Sequence, residues 1–220
     1  MLTLGNENYI VCTNNNKTRR LRMELIPRIQ GILLKPKEEW EKIKQQTMSV
    51  SDLFTKYVLI LVAIPAVAQF IGRGIIGYSV PFVGWVRSGI GRALLHGIFY
   101  YVLTVASVYV LGIIINALAP SFDSKQNQEK AMNLAVFSMT PAWVAGVLYI
   151  IPQLSVLVLL ASLYGIYIFY LGFSSSMMDT PKEKVVGYFA VTIIVSIVLY
   201  AIIGLVLGAI FAVSGGLGSV

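Results

Sequence analysis

Residues 131–173 read AMNLAVFSMTPAWVAGVLYIIPQLSVLVLLASLYGIYIFYLGF, without one Asp, Glu, Lys or Arg. A helix needs about 20 apolar residues to cross a bilayer. The run holds two such lengths, parted at Ile151-Pro152-Gln153. Proline cannot sit in a helix interior without breaking it, so the break predicts an antiparallel helical hairpin. One arm is Ala131 to Ile151 and the other about Leu154 to Phe173. Hydrocarbon offers the backbone no partners, so each arm must satisfy its own hydrogen bonds as a helix.

Working outward, three further stretches have the same character. One runs from Tyr57 to about Ile76, one from about Ala93 to Ala119 with Pro120 closing it, and one from about Val186 to Val213. The fold class is therefore all-α: a polytopic membrane helical bundle of five transmembrane helices. Composition agrees. The 220 residues are 57% hydrophobic and only 12% charged, with a mean hydropathy of +0.77. A soluble domain carries about 25% charged residues, and a disordered chain needs low hydrophobicity and high net charge. Both classes are excluded.

The basic residues give an orientation. Ten precede the first span, from Lys17 to Lys56. Lys125 and Lys130 follow the second, and Lys182 and Lys184 follow the fourth. Against these 14 the other side has Arg73, Arg87 and Arg92. The positive-inside rule then predicts N-terminus in and C-terminus out. The net charge of +7 is a cytoplasmic-face charge suited to anionic lipid rather than nucleic acid.

Four divisions of the chain follow. Residues 1–22 read as a leader or upstream extension, because Met23 opens a cleaner start; 23–56 form a cytoplasmic amphipathic segment; 57–213 are the five-span domain; and 214–220 are a short tail. Within the second division Ile26, Ile29 and Leu33 share a helical face. Pro36 ends that helix and can open another at its first position, with Glu38, Glu39 and Glu41 in its first turns. Trp40 and Ile43 then share a face. Two short helices lie on the inner leaflet with Trp40 as an interfacial anchor, or else this face packs under the bundle. Arg28, Lys35, Lys37, Trp40, Lys42 and Lys44 are the candidate inner-leaflet contacts. The glycine- and aromatic-rich connection from Gly72 to Arg92 is expected to lie in the interface or to re-enter the membrane.

Chemistry is sparse. The apolar spans hold no Asp, Glu or Lys, whereas ion-coupled transporters place carboxylates there. One cysteine, Cys12, and one histidine, His96, allow neither an intrachain disulfide nor a four-ligand zinc site. No hydrolase motif is present, and nothing in the sequence orients His96 toward a nucleophile such as Ser107. No enzyme activity and no cofactor are expected. The polar residues inside the spans are neutral: Gln69, Thr104, Ser107, Asn116, Asn133, Ser138 and Thr140. They serve as contacts between helices or line a path for a small solute. Ser138, Thr140 and Pro141 mark one weakened stretch of backbone, where hydroxyls can re-satisfy freed carbonyls. Gly204 with Gly208, and Ala161 with Gly165, have the small-xxx-small spacing of close helix contacts.

The stretch from Ala131 to Tyr188 resembles the Yip family of five-span, Ypt/Rab-interacting membrane proteins, in its prokaryotic branch. The carrying residues are Ser138-Met139-Thr140-Pro141-Ala142-Trp143-Val144-Ala145-Gly146, Ile151-Pro152, Leu163-Tyr164-Gly165-Ile166-Tyr167 and Tyr170-Leu171-Gly172. Met178, Pro181, Lys184 and Tyr188 continue the pattern, and Ile32 to Trp40 is similar to the head of prokaryotic members. Phe173 and Ser174 stand where members often carry a proline, and the acidic motif of the eukaryotic cytosolic tail is missing. The resemblance implies five spans, a prokaryotic inner-membrane location and no known reaction; it does not extend to Rab-type GTPase binding. The expected role is a non-enzymatic protein that organises membrane or binds partner proteins, including a second copy of itself. The alternative is a small-solute channel or transporter, with Asn116, Ser138, Thr140, Pro141, Tyr164 and Tyr167 along a neutral polar path between spans two, three and four.

Overall fold

A computed structural model describes residues 25–80, 82, 84–175 and 177–216. The expected leader, residues 1–22, lies outside the described residues. Two short helices, α1 (Leu25–Leu34) and α2 (Pro36–Gln45), precede the membrane domain. Lys35 separates them in a non-helical conformation, as a residue before proline must. Pro36 opens α2, Glu38 and Glu39 occupy its first turn, and Lys42 and Lys44 its last, each placed to favour the helix dipole.

Among the described residues, five helices are long and apolar enough to span a membrane: Val50–Ile76, Ile90–Phe122, Gln128–Ile150, Pro152–Ser174 and Lys182–Ala209. The five-helix reading holds. The first helix starts earlier than its apolar run. Ser49 caps it by accepting a hydrogen bond from the Asp52 backbone N–H, and Asp52 pairs with Lys56 one turn on. These charged turns are helical although they are not apolar. The third likewise starts at the Asn127 cap, whose side chain accepts from the Lys130 N–H at 2.9 Å. Its backbone breaks at Met139, just before Pro141, and the Ser138 hydroxyl donates to the Leu134 carbonyl at 2.7 Å. The expected weak stretch is therefore a true interruption.

The third span is the centre of the bundle. Ala131 through Ser138 are all buried, whereas the fourth span buries the face turned toward the third, and the fifth the face turned toward the second and fourth. Small residues set the close approaches. A Cβ on Gly112 would lie 2.2 Å from the Met132 sulfur, and one on Gly172 would lie 2.3 Å from Leu134 and 2.8 Å from the Trp40 ring. Gly165 meets the Ser138 carbonyl in the same way, at 2.8 Å. Gly204 and Gly208, by contrast, would bring a Cβ within 4 Å of nothing, so among the described residues their spacing makes no close packing contact.

The connection between the first two spans is a β-hairpin. Tyr78–Val80 pairs antiparallel with Gly84–Val86, with Tyr78 opposite Val86. It neither spans nor re-enters as a helix. Gly77 enters it at φ +89°, where a Cβ would strike the Trp85 indole at 2.7 Å. Trp85 and Phe82 project outward, the arrangement of an interfacial aromatic belt.

At the other end of the bundle the two loops are tied together. Ser124 donates to Thr180 at 2.8 Å, the Lys125 N–H donates to the Met178 carbonyl at 3.0 Å, and Lys184 pairs with Asp123. Tyr188 is fully buried there, stacked on Phe122 with ring centres 4.8 Å apart. Asn133 secures the linker into the first span. Its amide nitrogen donates to the carbonyls of Met48 and Glu129, and its oxygen accepts from the Met48 N–H at 3.2 Å. Asn133→Ala leaves the half-buried Met48 backbone groups without this partner, at about 1 kcal/mol. The expected result is a lower unfolding midpoint in detergent and faster protease cleavage near Met48; an unchanged midpoint contradicts the clamp.

Candidate functional site

Two places gather the residues that sequence reading singled out. The first is the junction between α1, α2 and the bundle. The face of α2 that carries Trp40 and Ile43 is buried against the spans, at 0% and 1% exposure. The Trp40 indole N–H donates to the Ile168 carbonyl at 3.0 Å, and its ring meets the Phe137 ring edge-on at 6.4 Å. Trp40 is therefore not a leaflet anchor: a side chain enclosed by spans three and four has no surface left for lipid. On α1 the docked positions are Arg28, Ile29 and Ile32, while Ile26 turns outward.

Arg28 is a second correction. Its guanidinium pairs with Glu39 at 2.5 Å and lies 5.9 Å from the Phe137 ring centre. Lys42 reaches the other Glu39 oxygen at 3.0 Å. Glu39 is itself buried, and a Cβ on Gly31 would sit 2.5 Å from its carboxylate. Arg28 is thus spent on an internal charge pair and is withdrawn from the leaflet. Lys44 is half-buried and donates to the Ser175 carbonyl at 3.1 Å, where a cation suits the C-terminus of the fourth span. Lys35, Lys37 and Lys42 remain on the outer surface, with Leu34 exposed beside them. Of the six inner-leaflet candidates, these three lysines keep an outward placement.

Two of the residues assigned to a polar path are ties of the same junction. Thr140 shares a buried hydrogen bond of 2.7 Å with Tyr57, whose ring packs on Phe137 at 4.9 Å. Tyr57 lies in a π-helical turn, Phe54–Val58, and that extra residue per turn is a feature often found where a helix must aim one side chain. Tyr164 donates to the Leu33 carbonyl at 2.8 Å, satisfying one of the open carbonyls at the end of α1.

The second place is a cavity of about 650 Å³ walled by spans two to five. No charged side chain lines it. Thr104, Ser138, Ser162 and Ser196, with the tyrosines Tyr100, Tyr149 and Tyr200, are the hydroxyl-bearing residues of the wall, and the rest is mainly aliphatic and aromatic. Ser138, Ser162 and Ser196 each donate to a carbonyl one turn back in their own helix, which leaves their oxygens to face the space as weak acceptors. Of the six path residues only Ser138 lines this cavity. Pro141 is buried at the backbone break, Tyr167 faces outward, and the side-chain oxygen of Asn116 is buried without a hydrogen bond among the described residues. Residue type alone had grouped them; the helix rotations that separate them leave no signal in a uniformly apolar sequence.

Comparison with known proteins places the chain. Residues 31–216 match the family model described as the Yip1 domain. Two similar proteins, both named inner membrane protein YohC, come from Escherichia coli strain K12 and from Escherichia coli O6:H1. Each is 22% identical over 178 residues, covering 80% of this chain and 91% of the relative. No solved structure matches the chain.

Proposed function

The chain belongs to the Yip1 family, and on that premise we propose that it is a non-enzymatic inner-membrane protein whose N-terminal helices form a docking face for anionic lipid and partner proteins. The observation that carries this reading is the division of labour on α2. One face, with Glu39, Trp40 and Ile43, is locked into the bundle, while Lys35, Lys37 and Lys42 stand on the outer surface. Exposed Glu38 and Glu41 lie among these lysines, so the face is mixed with a small basic excess. Held rigidly on a membrane domain, it loses less conformational entropy on binding than a free tail, and each lysine near an anionic leaflet contributes about 1 kcal/mol. The 14-to-3 distribution of basic residues supports placing this face in the cytoplasm. The relatives' name, inner membrane protein, supports the location.

The test is a photoreactive amino acid placed at Lys37 in native membranes, with and without Lys35→Glu and Lys42→Glu. Discrete adducts to lipid or to a membrane protein are expected, and they should disappear when the charges are reversed. Adducts insensitive to charge reversal, or transport of a defined solute by the purified protein in liposomes, would contradict the proposal. The solute path gains no support from the placement of its residues, since Asn116, Thr140, Tyr164 and Tyr167 stand apart from the cavity.

A further inference from the structure

The cavity among spans two to five has the size of a ligand site, about 650 Å³ against the usual range of about 300–1,000 Å³. Its position explains how a ligand would enter. Spans four and five touch through aromatic rings at one end, where Phe173 packs on Tyr188 at 4.7 Å and Tyr170 on Phe189 at 5.4 Å. Beyond that contact the cavity lies between them. Its rim residues Leu159, Ile166 and Ile197 are 61%, 39% and 62% exposed on the apolar outside of the bundle. The wall is therefore continuous with the surface that faces acyl chains.

A cation lies near the opposite end, outside the cavity wall. Tyr149 and Tyr100 line the cavity at the end of the bundle remote from α1 and α2. Gly72 lies against the Tyr149 backbone, so close that a Cβ would be 2.1 Å from its carbonyl oxygen, and the next residue is Arg73. Arg73 donates to the His96 ring nitrogen at 3.1 Å, and His96 is one helical turn before Tyr100. Arg73 is also within electrostatic reach of Tyr149. Ser88 bonds the Arg73 carbonyl at 3.0 Å, which brings the Arg87 segment beside it. Every described Asp and Glu belongs to the other end of the bundle, from Glu38 to Asp52, Asp123 to Glu129, and Asp179 to Glu183. An arginine near the Tyr149 end of an apolar, hydroxyl-bearing cavity that opens toward acyl chains, though not itself in the cavity wall, has the chemistry to hold the headgroup of an anionic amphiphile.

We propose that this cavity holds an acyl chain of an anionic glycerophospholipid, with the lipid phosphate at Arg73 and the hydroxyls of Tyr149 and Tyr100 beside the glycerol esters. The aliphatic wall accepts the chain, the tyrosine hydroxyls are donors for ester carbonyls, and the guanidinium selects the charged headgroup over a neutral one.

The experiment is native mass spectrometry of the full-length protein released from detergent. The protein is titrated with phosphatidylglycerol, with zwitterionic phosphatidylcholine, or with inorganic phosphate. The wild type is expected to retain phosphatidylglycerol preferentially, and inorganic phosphate is expected not to displace it. Arg73→Gln should lower phosphatidylglycerol retention about tenfold, to the level of phosphatidylcholine. Ile197→Trp, which fills the exposed rim without entering the core, should lower retention of both lipids. Unchanged retention in either variant overturns the proposal. So does displacement by inorganic phosphate, which would make the arginine an anion site with no role for the chain.

Discussion

Trp40→Ala is expected to destabilise the protein by about 3–5 kcal/mol, the range for removing a large buried aromatic side chain. Trp40 has no exposed surface, and its indole N–H is bonded to the Ile168 carbonyl within the fourth span. The substitution opens a cavity among Phe137, Leu134 and Gly172 and leaves that carbonyl with one partner fewer. It also undocks α2, because Trp40 and Ile43 are the apolar residues by which α2 is held. The expected readouts are a lower unfolding midpoint in a denaturing detergent titration and rapid proteolysis between Leu25 and Gln46. Trp40→Phe keeps much of the buried area but loses the hydrogen bond and part of the ring's volume, so its cost should be about 1–3 kcal/mol, below that of Trp40→Ala. Equal behaviour of the two variants would mean that the ring does not fill the junction.

Breaking the charge pair beneath it should cost as much. The side chains of Arg28 and Glu39 are 14% and 6% exposed, and the pair sits over the Phe137 ring. Removing one member of a buried pair strands the other, at about 3–5 kcal/mol. Glu39→Ala leaves the guanidinium against apolar rings. Arg28→Ala leaves the carboxylate with Lys42, whose side chain is 64% exposed. Arg28→Ala is therefore expected to be the milder of the two. The double substitution Arg28→Met with Glu39→Leu should recover much of the loss, because replacing both charges by apolar groups of similar size is often near neutral. A double-mutant cycle in detergent checks this; additive single effects would show that the pair is not coupled.

The number of spans, their order, the turn at Pro152 and the interruption beside Pro141 were all legible in the sequence. Each leaves a local mark: a length of apolar residues or a proline. The direction each helix face points was not legible. In water a core face is apolar and an outer face polar, so periodicity separates them, but a bilayer makes both apolar and erases that difference. Trp40 shows this. Its sequence fits an interfacial anchor as well as a core residue, and only its contact with Gly172 and Ile168 decides between them. Gly172 was readable as part of the family pattern, and its physical reason is that Trp40 and Leu134 occupy the space of a side chain. The glycine pair at 204 and 208 has the spacing of a seam, yet among the described residues a Cβ there would meet nothing within 4 Å. Asn133 looked like one more polar residue between helices; its role in holding Met48 depends on a linker that bears no mark of its own. The hairpin at 78–86 was hidden because its strands are three residues each, too short for alternation to show.

In this fold α1 and α2 are part of the bundle and not a peripheral anchor in the leaflet. The fluorescence of Trp40 tests it directly once Trp85→Phe and Trp143→Phe make it the sole tryptophan in liposomes. Docking predicts emission characteristic of an apolar site, with quenching neither by aqueous iodide nor by lipids brominated near the headgroup. Strong quenching by the brominated lipids would place Trp40 in the leaflet and contradict the account.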